Sequence, residues 1–343
     1  MAAIEGAARK TVNLALQGGG AHGAYTWGVL DALIEDGRIA FDAISGASAG
    51  AMNAVALAEG LMENGPDGAR QKLHDFWRSV SEEGALTPIQ RKLFDAFFGA
   101  FAFTGSPAYL WYDAVTHFAS PYEFNPLNIN PLRDHLVKAI DFEKIRASND
   151  VKLMIAATNV FTGKGVIFRR HELTADHIMA SACLPRLFQA VEINGVPHWD
   201  GGYSGNPPLW PLFYETHTDD AIIVQINPIE RRETPRTARD ILNRQDEITF
   251  NSHLLAEMRA VNFVTRLIEK GKLQQGAYRR ALLHRIGGDG KLESFGPGTK
   301  LDTSWPFLLR LRDLGRDSAK EWLKDHFDDV GQRGTLDLPA IIS

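Results

Sequence analysis

The residues that decide the fold are 12–50, VNLALQGGGAHGAYTWGVLDALIEDGRIAFDAISGASAG. A short apolar strand (12–16) leads into the glycine-rich turn GGGAHG (18–23), and the apolar residues that follow recur at the spacing of a helix. A second strand (41–45) then enters the turn GASAG (46–50), and a helix rich in small residues leaves it. This stretch therefore predicts two consecutive strand–turn–helix units.

A serine stands at the centre of the second turn. Ser48 lies in a G-x-S-x-G pattern between a predicted strand and a predicted helix, which is the context of a nucleophile elbow. Gly46 and Gly50 flank it, as expected for a crowded, strained turn in which larger side chains would clash with the backbone. The glycine-rich turn upstream offers backbone N–H groups as hydrogen-bond donors. The combination predicts an enzyme with a serine nucleophile.

Length and composition describe an ordinary globular protein. The 343 residues suffice for one large α/β domain, or for a domain with an appendage. The net charge is −5, and the basic pairs Arg231-Arg232 and Arg279-Arg280 stand among acidic residues. The chain therefore has no general electrostatic attraction for nucleic acid or anionic lipid, and we expect no nucleic-acid partner.

Cysteine usage and hydropathy bear on the compartment. Cys183 is the only cysteine, which excludes an intramolecular disulfide and a cysteine-based metal site. The N-terminal residues lack the apolar segment of a signal peptide. No window holds the roughly 18 apolar residues that a membrane span needs. We expect a cytoplasmic protein that is at most peripheral at membranes.

The rest of the chain alternates between strand and helix patterns. The predicted strands are 152–158, 166–168, the hairpin 190–199 around Asn194-Gly195, 221–226 and 281–286, and the predicted helices are 174–183, 236–270 and 306–328. This alternation predicts an α/β fold with a mainly parallel sheet and helices on both faces. Residues 93–126 differ, because they are dense in aromatic side chains and carry very few charges. They are either a cap packed on the core or an interfacial lid.

A serine hydroxyl is a poor nucleophile without a base within hydrogen-bond reach. One candidate base is Asp200, in a D-G-G turn at the end of a predicted strand, where Gly201 and Gly202 let the backbone turn sharply. The alternative is a histidine in an α/β-hydrolase triad, for which His217, His253 and His284 follow the acid in the chain. None of the eleven histidines stands in a motif that demands this role.

The glycine-rich turn has a second interpretation. Gly18-x-Gly20-x-x-Gly23 also fits the fingerprint of a dinucleotide-binding fold, with Asp42 as the ribose-binding acid. In such a fold the acid ends the second strand. Here Asp42 begins the predicted strand, and the strand ends in the Ser48 turn, so the context disfavours a dinucleotide site.

Four motifs in order give the chain a resemblance to a known family. GGGAHG (18–23), GASAG (46–50), SACLP (181–185) and DGG (200–202) resemble the motifs of the patatin-like phospholipase family across residues 12–215. The resemblance implies a patatin-like three-layer α/β/α fold with a mainly parallel central sheet. It also implies three segments: a flexible N-terminus (1–11), a catalytic domain (12–228), and a mostly helical C-terminal region (229–343) packed on the same domain.

The resemblance also implies a chemistry. Ser48 would be the nucleophile of a Ser-Asp dyad and Asp200 its base, with the backbone N–H groups of Gly18, Gly19 and Gly20 as the oxyanion hole. The substrate would be a phospholipid, lysophospholipid or other lipid ester, met at a lipid surface, with no cofactor and no metal. The loop departs from the family at His22, where an arginine or lysine is usual. The sequence leaves the oligomeric state open.

Overall fold

The computed structural model describes residues 9–81, 120–274, 278–288, 290–292, 295, 299–300 and 302–342. Its centre is an eight-stranded sheet in the order β5-β6-β3-β2-β1-β7-β8, in which β4 also pairs with β3. The strands are β1 (Lys10–Leu16), β2 (Ile39–Gly46), β3 (Lys152–Asn159), β4 (Gly165–Arg169), β5 (Val191–Ile193), β6 (Val196–Asp200), β7 (Asp220–Gln225) and β8 (Leu282–Gly287). Strands β3, β2, β1, β7 and β8 are parallel to one another. Strands β4 and β6 each pair antiparallel with β3, and β5 pairs antiparallel with β6.

Helices cover the sheet. They are α1 (Gly23–Asp36), α2 (Ala49–Ser81), α3 (Pro121–Phe124), α4 (Pro131–Ala139), α5 (Phe142–Ala147), α6 (Ala175–Ser181), α7 (Trp210–Glu215), α8 (Ala238–Glu269), α9 (Trp305–His326) and α10 (Leu338–Ile342). Helix α2 is kinked at Asn64 and Gly65. The kink falls here because Gly65 adopts a left-handed backbone and Pro66 cannot continue the hydrogen-bond ladder.

Alternation along β1 shows how the two faces are buried. Leu14 and Leu16 lie in a core cluster with residues of α1, α2 and α9, whereas Ala15 lies in a second cluster with Leu212 of α7 and Leu254 of α8. Burying a leucine side chain contributes about 2 kcal/mol, and truncating it to alanine costs about 2–5 kcal/mol. The sheet is thus the middle of three layers, and the predicted α/β/α fold is confirmed.

The ends of the chain refine the predicted segments. Strand β1 begins at Lys10, two residues earlier than the sequence indicates, because Lys10 pairs with Ile39 of β2. The Lys10 ammonium also donates to the carbonyls of Phe327 and Val330. Residues 10 and 11 lie in this strand, and the flexible N-terminus over 1–11 stays a prediction. The region 229–343 adds strand β8 as well as helices to the fold. Its division from residues 12–228 stays a prediction.

Part of the chain lies outside the described residues. This holds for residues 1–8 and for 93–119 of the aromatic-rich stretch, so the choice between cap and lid stays a prediction. Among the helices of the described ranges, none is both long and apolar enough to span a membrane.

Candidate active site

The turn between β2 and α2 places Ser48 at the start of a helix. Its φ is 54°, a left-handed conformation that is uncommon for a residue with a side chain. The turn is also crowded: a Cβ at Gly50 would lie 2.1 Å from the carbonyl oxygen of Leu16. The flanking glycines are therefore required by close backbone approach, and the turn has the strained geometry predicted for a nucleophile elbow.

Asp200 ends β6 and is fully buried. Its Oδ1 accepts a hydrogen bond of 2.7 Å from the N–H of Gly202, and a Cβ at Gly201 would lie 2.3 Å from the carbonyl oxygen of Ala156. Its Oδ2 is buried and accepts no hydrogen bond from the described residues. The Ser48 side chain lies close enough to lower the pKa of this carboxyl, without a hydrogen bond of ordinary geometry to Oδ2.

The segment after α6 connects the serine with the aspartate. The Ser48 N–H donates to the carbonyl oxygen of Ser181 at 3.2 Å and to its hydroxyl at 3.0 Å. Two residues later, the carbonyl oxygen of Cys183 accepts a hydrogen bond of 2.8 Å from the Asp200 N–H. The SACLP motif thus holds the backbones of both residues, although the sequence gives it no role beyond the resemblance.

Burial sets the protonation of this site. It raises the pKa of Asp200 to about 7, and the Gly202 N–H and the Ser48 hydroxyl oppose the rise. A carboxyl with this pKa can accept a proton near neutral pH more readily than an ordinary aspartate. Burial and the charge of Asp200 raise the pKa of Cys183 to about 12, so this thiol is not a competing nucleophile.

The glycine-rich loop after β1 lies against the serine. A Cβ at Gly18 would be 2.7 Å from the Cβ of Ser48, so the loop could not approach so closely with any other residue there. The Gly18 N–H donates to Oδ1 of Asn206 at 2.7 Å. It is therefore not available to an oxyanion, whereas the resemblance implies that Gly18 is one of the donors. The N–H groups of Gly19 and Gly20 donate to no described residue.

His22 does not replace the basic residue of the family motif by charge. Its Nε2 lies 2.8 Å from the hydroxyl of Thr299. Burial lowers the pKa of His22 to about 3, helped by the nearby charges of Lys300 and Arg231, so the ring is neutral at physiological pH. Lys300 lies beside the loop: its carbonyl oxygen would be 2.4 Å from a Cβ at Gly20, and burial lowers the pKa of its side chain. Gly20 itself has a φ of 61°.

Buried amides beneath the loop were not predicted from the sequence. Gln17 accepts the N–H of Asn227 at 2.7 Å and donates to Asn251 of α8 at 2.9 Å. Asn227 donates to the carbonyl oxygen of Gly18 at 2.6 Å and accepts from Lys300 at 2.7 Å. A signal exists in the sequence, because Gln17 and Asn227 follow the apolar strands β1 and β7, which are neighbours in the sheet.

An apolar cavity opens beside Ser48. It is lined by Gly20, Ser48, Ala49, Met52, Phe76, Trp77, Val80 and Ala182. Most of these residues belong to α2, the helix that begins at the elbow, so the serine stands at one end of an apolar surface.

None of the three candidate histidines makes a hydrogen bond with Ser48 or Asp200 in the described part of the chain. His284 is buried against Asp220 at 2.9 Å, and the His217 N–H donates to Asp42. His253 is exposed on α8. Asp42 lies inside β2 and pairs with Lys152 rather than ending the strand, which removes the acid that a dinucleotide site needs.

No group of three or more His, Cys, Asp or Glu side chains among the described residues is arranged to hold a metal ion.

Comparisons with known proteins show what the chain is similar to. Among solved structures, VipD from Legionella pneumophila shares 16% identity over 93% of this chain and 68% of its own, with a TM-score of 0.40. ExoU, in the heterodimeric ExoU–SpcU complex of the Pseudomonas aeruginosa type III secretion system, shares 14% identity over 94% of this chain and 53% of its own, with a TM-score of 0.35. Comparison with curated proteins gives no match. The family model of the patatin-like phospholipases matches residues 14–213, more than half of the chain, and the protein therefore belongs to this family.

Proposed function

We propose that this protein is a lipid acyl hydrolase of the phospholipase A or lysophospholipase type that uses a Ser48–Asp200 dyad. Membership in a phospholipase family supports lipid hydrolysis as the general activity. The observation that supports the dyad is that two features lie close together. A serine at a strained helix start lies near a buried carboxyl whose pKa is about 7 and whose Oδ2 accepts no hydrogen bond from the described residues.

Acylation follows from this arrangement. Oγ of Ser48 attacks the ester carbonyl carbon while Asp200 accepts the hydroxyl proton. The carbonyl oxygen becomes an oxyanion, which the N–H groups of Gly19 and Gly20 stabilise by about 3 kcal/mol for each donor. The intermediate collapses to the acyl-enzyme as the C–O bond to the leaving alcohol breaks and Asp200 returns the proton to that oxygen.

Deacylation uses the same groups in reverse. Water attacks the acyl carbon while Asp200 accepts its proton, and the second tetrahedral intermediate expels Oγ of Ser48, which recovers the proton. A free fatty acid leaves. No histidine is needed at either step, since one carboxyl serves as base and then as acid in each half-reaction.

The apolar cavity supports an acyl chain as the bound part of the substrate. Met52, Phe76 and Val80 offer carbon surface beside Ser48. Each methylene group that leaves water gains about 0.8 kcal/mol, so several methylenes bind well without any polar contact.

The proposal is tested by incubating a mixed lipid extract with wild type and with Ser48→Ala and profiling the products by mass spectrometry. We expect free fatty acids and lysolipids to accumulate with wild type only. The matched control is Ser252→Ala, which removes an exposed hydroxyl from α8 and should retain full activity. Fatty acid release by Ser48→Ala at the wild-type rate would overturn the proposal. Phospholipids with different acyl chains at the two glycerol positions then show which ester is cleaved.

A further inference from the structure

We propose that Asn227, oriented by Lys300, is a positioning residue that aims the Gly19 N–H at the developing oxyanion. This inference rests on the proposed function, since it concerns the same reaction. Both residues lie beyond residues 14–213, which the family model matches. Lys300 belongs to the C-terminal region (229–343), which would then act on the catalytic loop through Asn227.

The argument starts from the geometry of one peptide unit. The carbonyl oxygen of Gly18 and the N–H of Gly19 belong to the same planar trans peptide and point in opposite directions. Asn227 Nδ2 donates to that carbonyl oxygen at 2.6 Å, and Asn206 Nδ2 lies 3.4 Å from it. Because two amides hold the carbonyl on one side, the Gly19 N–H faces the other side.

The reacting ester would lie on that other side. The Gly19 N–H has no acceptor among the described residues, and Gly20, the next residue, lines the apolar cavity together with Ser48. A backbone donor left unpaired in a buried loop is costly unless something accepts its hydrogen bond. The reacting carbonyl oxygen of a bound ester is suited to that place.

Lys300 determines which way the Asn227 amide faces. Its Nζ donates to Oδ1 of Asn227 at 2.7 Å, so the Nδ2 group is the end left to meet Gly18. The reversed amide would set Nδ2 against an ammonium donor and Oδ1 against the Gly18 carbonyl, which pairs donor with donor and acceptor with acceptor. The Asn227 N–H is also fixed, by Gln17 at 2.7 Å.

Asn13 provides the matched control. It lies on the same strand β1 as the residues leading to the loop, is as fully buried as Asn227, and donates to Thr216 at 2.9 Å. It makes no hydrogen bond to the glycine-rich loop. Asn13→Ala and Asn227→Ala therefore both remove a buried amide, and only the second removes a support of the Gly18–Gly19 peptide.

The experiment measures kcat and KM on a short water-soluble ester, together with the rate at which a fluorophosphonate labels Ser48. In the labelling step an Oγ–P bond forms while Asp200 accepts the hydroxyl proton, the P–F bond breaks and fluoride leaves, and the phosphoryl oxygen occupies the place of the oxyanion. We expect Asn227→Ala to lower kcat about tenfold, to leave KM within about twofold, and to slow labelling by the same factor as kcat. Lys300→Met should give a smaller loss in the same direction. Asn13→Ala should leave all three values within about twofold of wild type.

Two results would overturn the inference. One is a kcat for Asn227→Ala within twofold of that of Asn13→Ala. The other is a kcat loss confined to the unfolded fraction seen by circular dichroism. Asn227→Asp separates the loss of the donor from a folding defect. It keeps the shape of the side chain and can pair with Lys300, but it presents no donor to Gly18. It should lose at least as much kcat as Asn227→Ala. Wild type that neither hydrolyses the ester nor labels at Ser48 would contradict the proposed function itself.

Discussion

Two buried aspartates in opposite halves of the sheet have opposite surroundings. Asp220 begins β7, and its Oδ1 is held by His284 at 2.9 Å and by the Gly331 N–H at 2.8 Å. Asp200 ends β6, with one oxygen held by Gly202 and the other without a described donor. The carboxylate that is tied to its neighbours fastens the C-terminal region to the sheet. The carboxylate with an open oxygen remains able to accept a proton.

Burial of the ionised Asp200 lowers the stability of the folded protein, and its pKa fixes the pH range in which this happens. An ordinary aspartate ionises near 3.8, whereas burial raises the pKa of Asp200 to about 7. Between these two values the unfolded chain releases a proton that the folded chain keeps, so the free energy of unfolding falls as the pH rises from about 4 to about 7. Three pKa units correspond to about 4 kcal/mol of lost stability above pH 7.

The largest contrast is expected in activity. Asp200→Asn and Ser48→Ala should each lower kcat for ester hydrolysis by about 10³-fold or more, on the scale of nucleophile and base removal in other serine hydrolases. Asp220→Asn should stay within about threefold of wild type, because its described contacts are with His284 and Gly331 and not with Ser48 or Asp200. Steady-state kinetics on a short ester, with folding checked by circular dichroism, measures all three. Near-normal turnover by Asp200→Asn would refute the dyad.

The two aspartates also show which parts of the site can be predicted from the sequence. GASAG and DGG predict the turns at Ser48 and Asp200, because local strain demands glycines at fixed spacing. The sheet followed from alternating patterns. Asn227 and Lys300 could not be predicted to support the loop. Asn227 follows an apolar strand as Gln17 does, but local patterns do not show that these two strands are neighbours. Asn227 and Lys300 contact the loop region only because β7 lies beside β1 and because the Lys300 backbone lies against Gly20.

The pH dependence of activity is the second test. Asp200 must be ionised to act as a base, so kcat/KM should rise with pH through about 7 and level off above it. The value at pH 5 should be about 100-fold below that at pH 8. His22 does not contribute to this limb, since its pKa is about 3. A profile that is flat between pH 5 and pH 8 would contradict a buried Asp200 base.

Stability should move in opposite directions at the two aspartates. Asp200→Asn removes the buried charge and keeps an oxygen for Gly202, so the free energy of unfolding should rise by up to about 4 kcal/mol at pH 8 and by much less at pH 5. Asp220→Ala strands the buried His284 and should lower it by about 1–3 kcal/mol. Urea unfolding at both pH values measures these changes. A gain for Asp200→Asn that is equal at both pH values would exclude the titration as its cause.

The smallest effect is expected at the exposed histidines. A histidine base would produce nearly the same acid limb as Asp200, so only replacement separates the two assignments. His217 and His253 make no hydrogen bond to Ser48 or Asp200 in the described ranges, and alanine at either position should leave kcat/KM within about twofold. His284→Asn should lower the melting temperature through its contact with Asp220 while changing kcat by less than tenfold. If one of these variants instead lost as much kcat as Ser48→Ala, a Ser-His-Asp triad would replace the dyad, and the open oxygen of Asp200 would need another explanation.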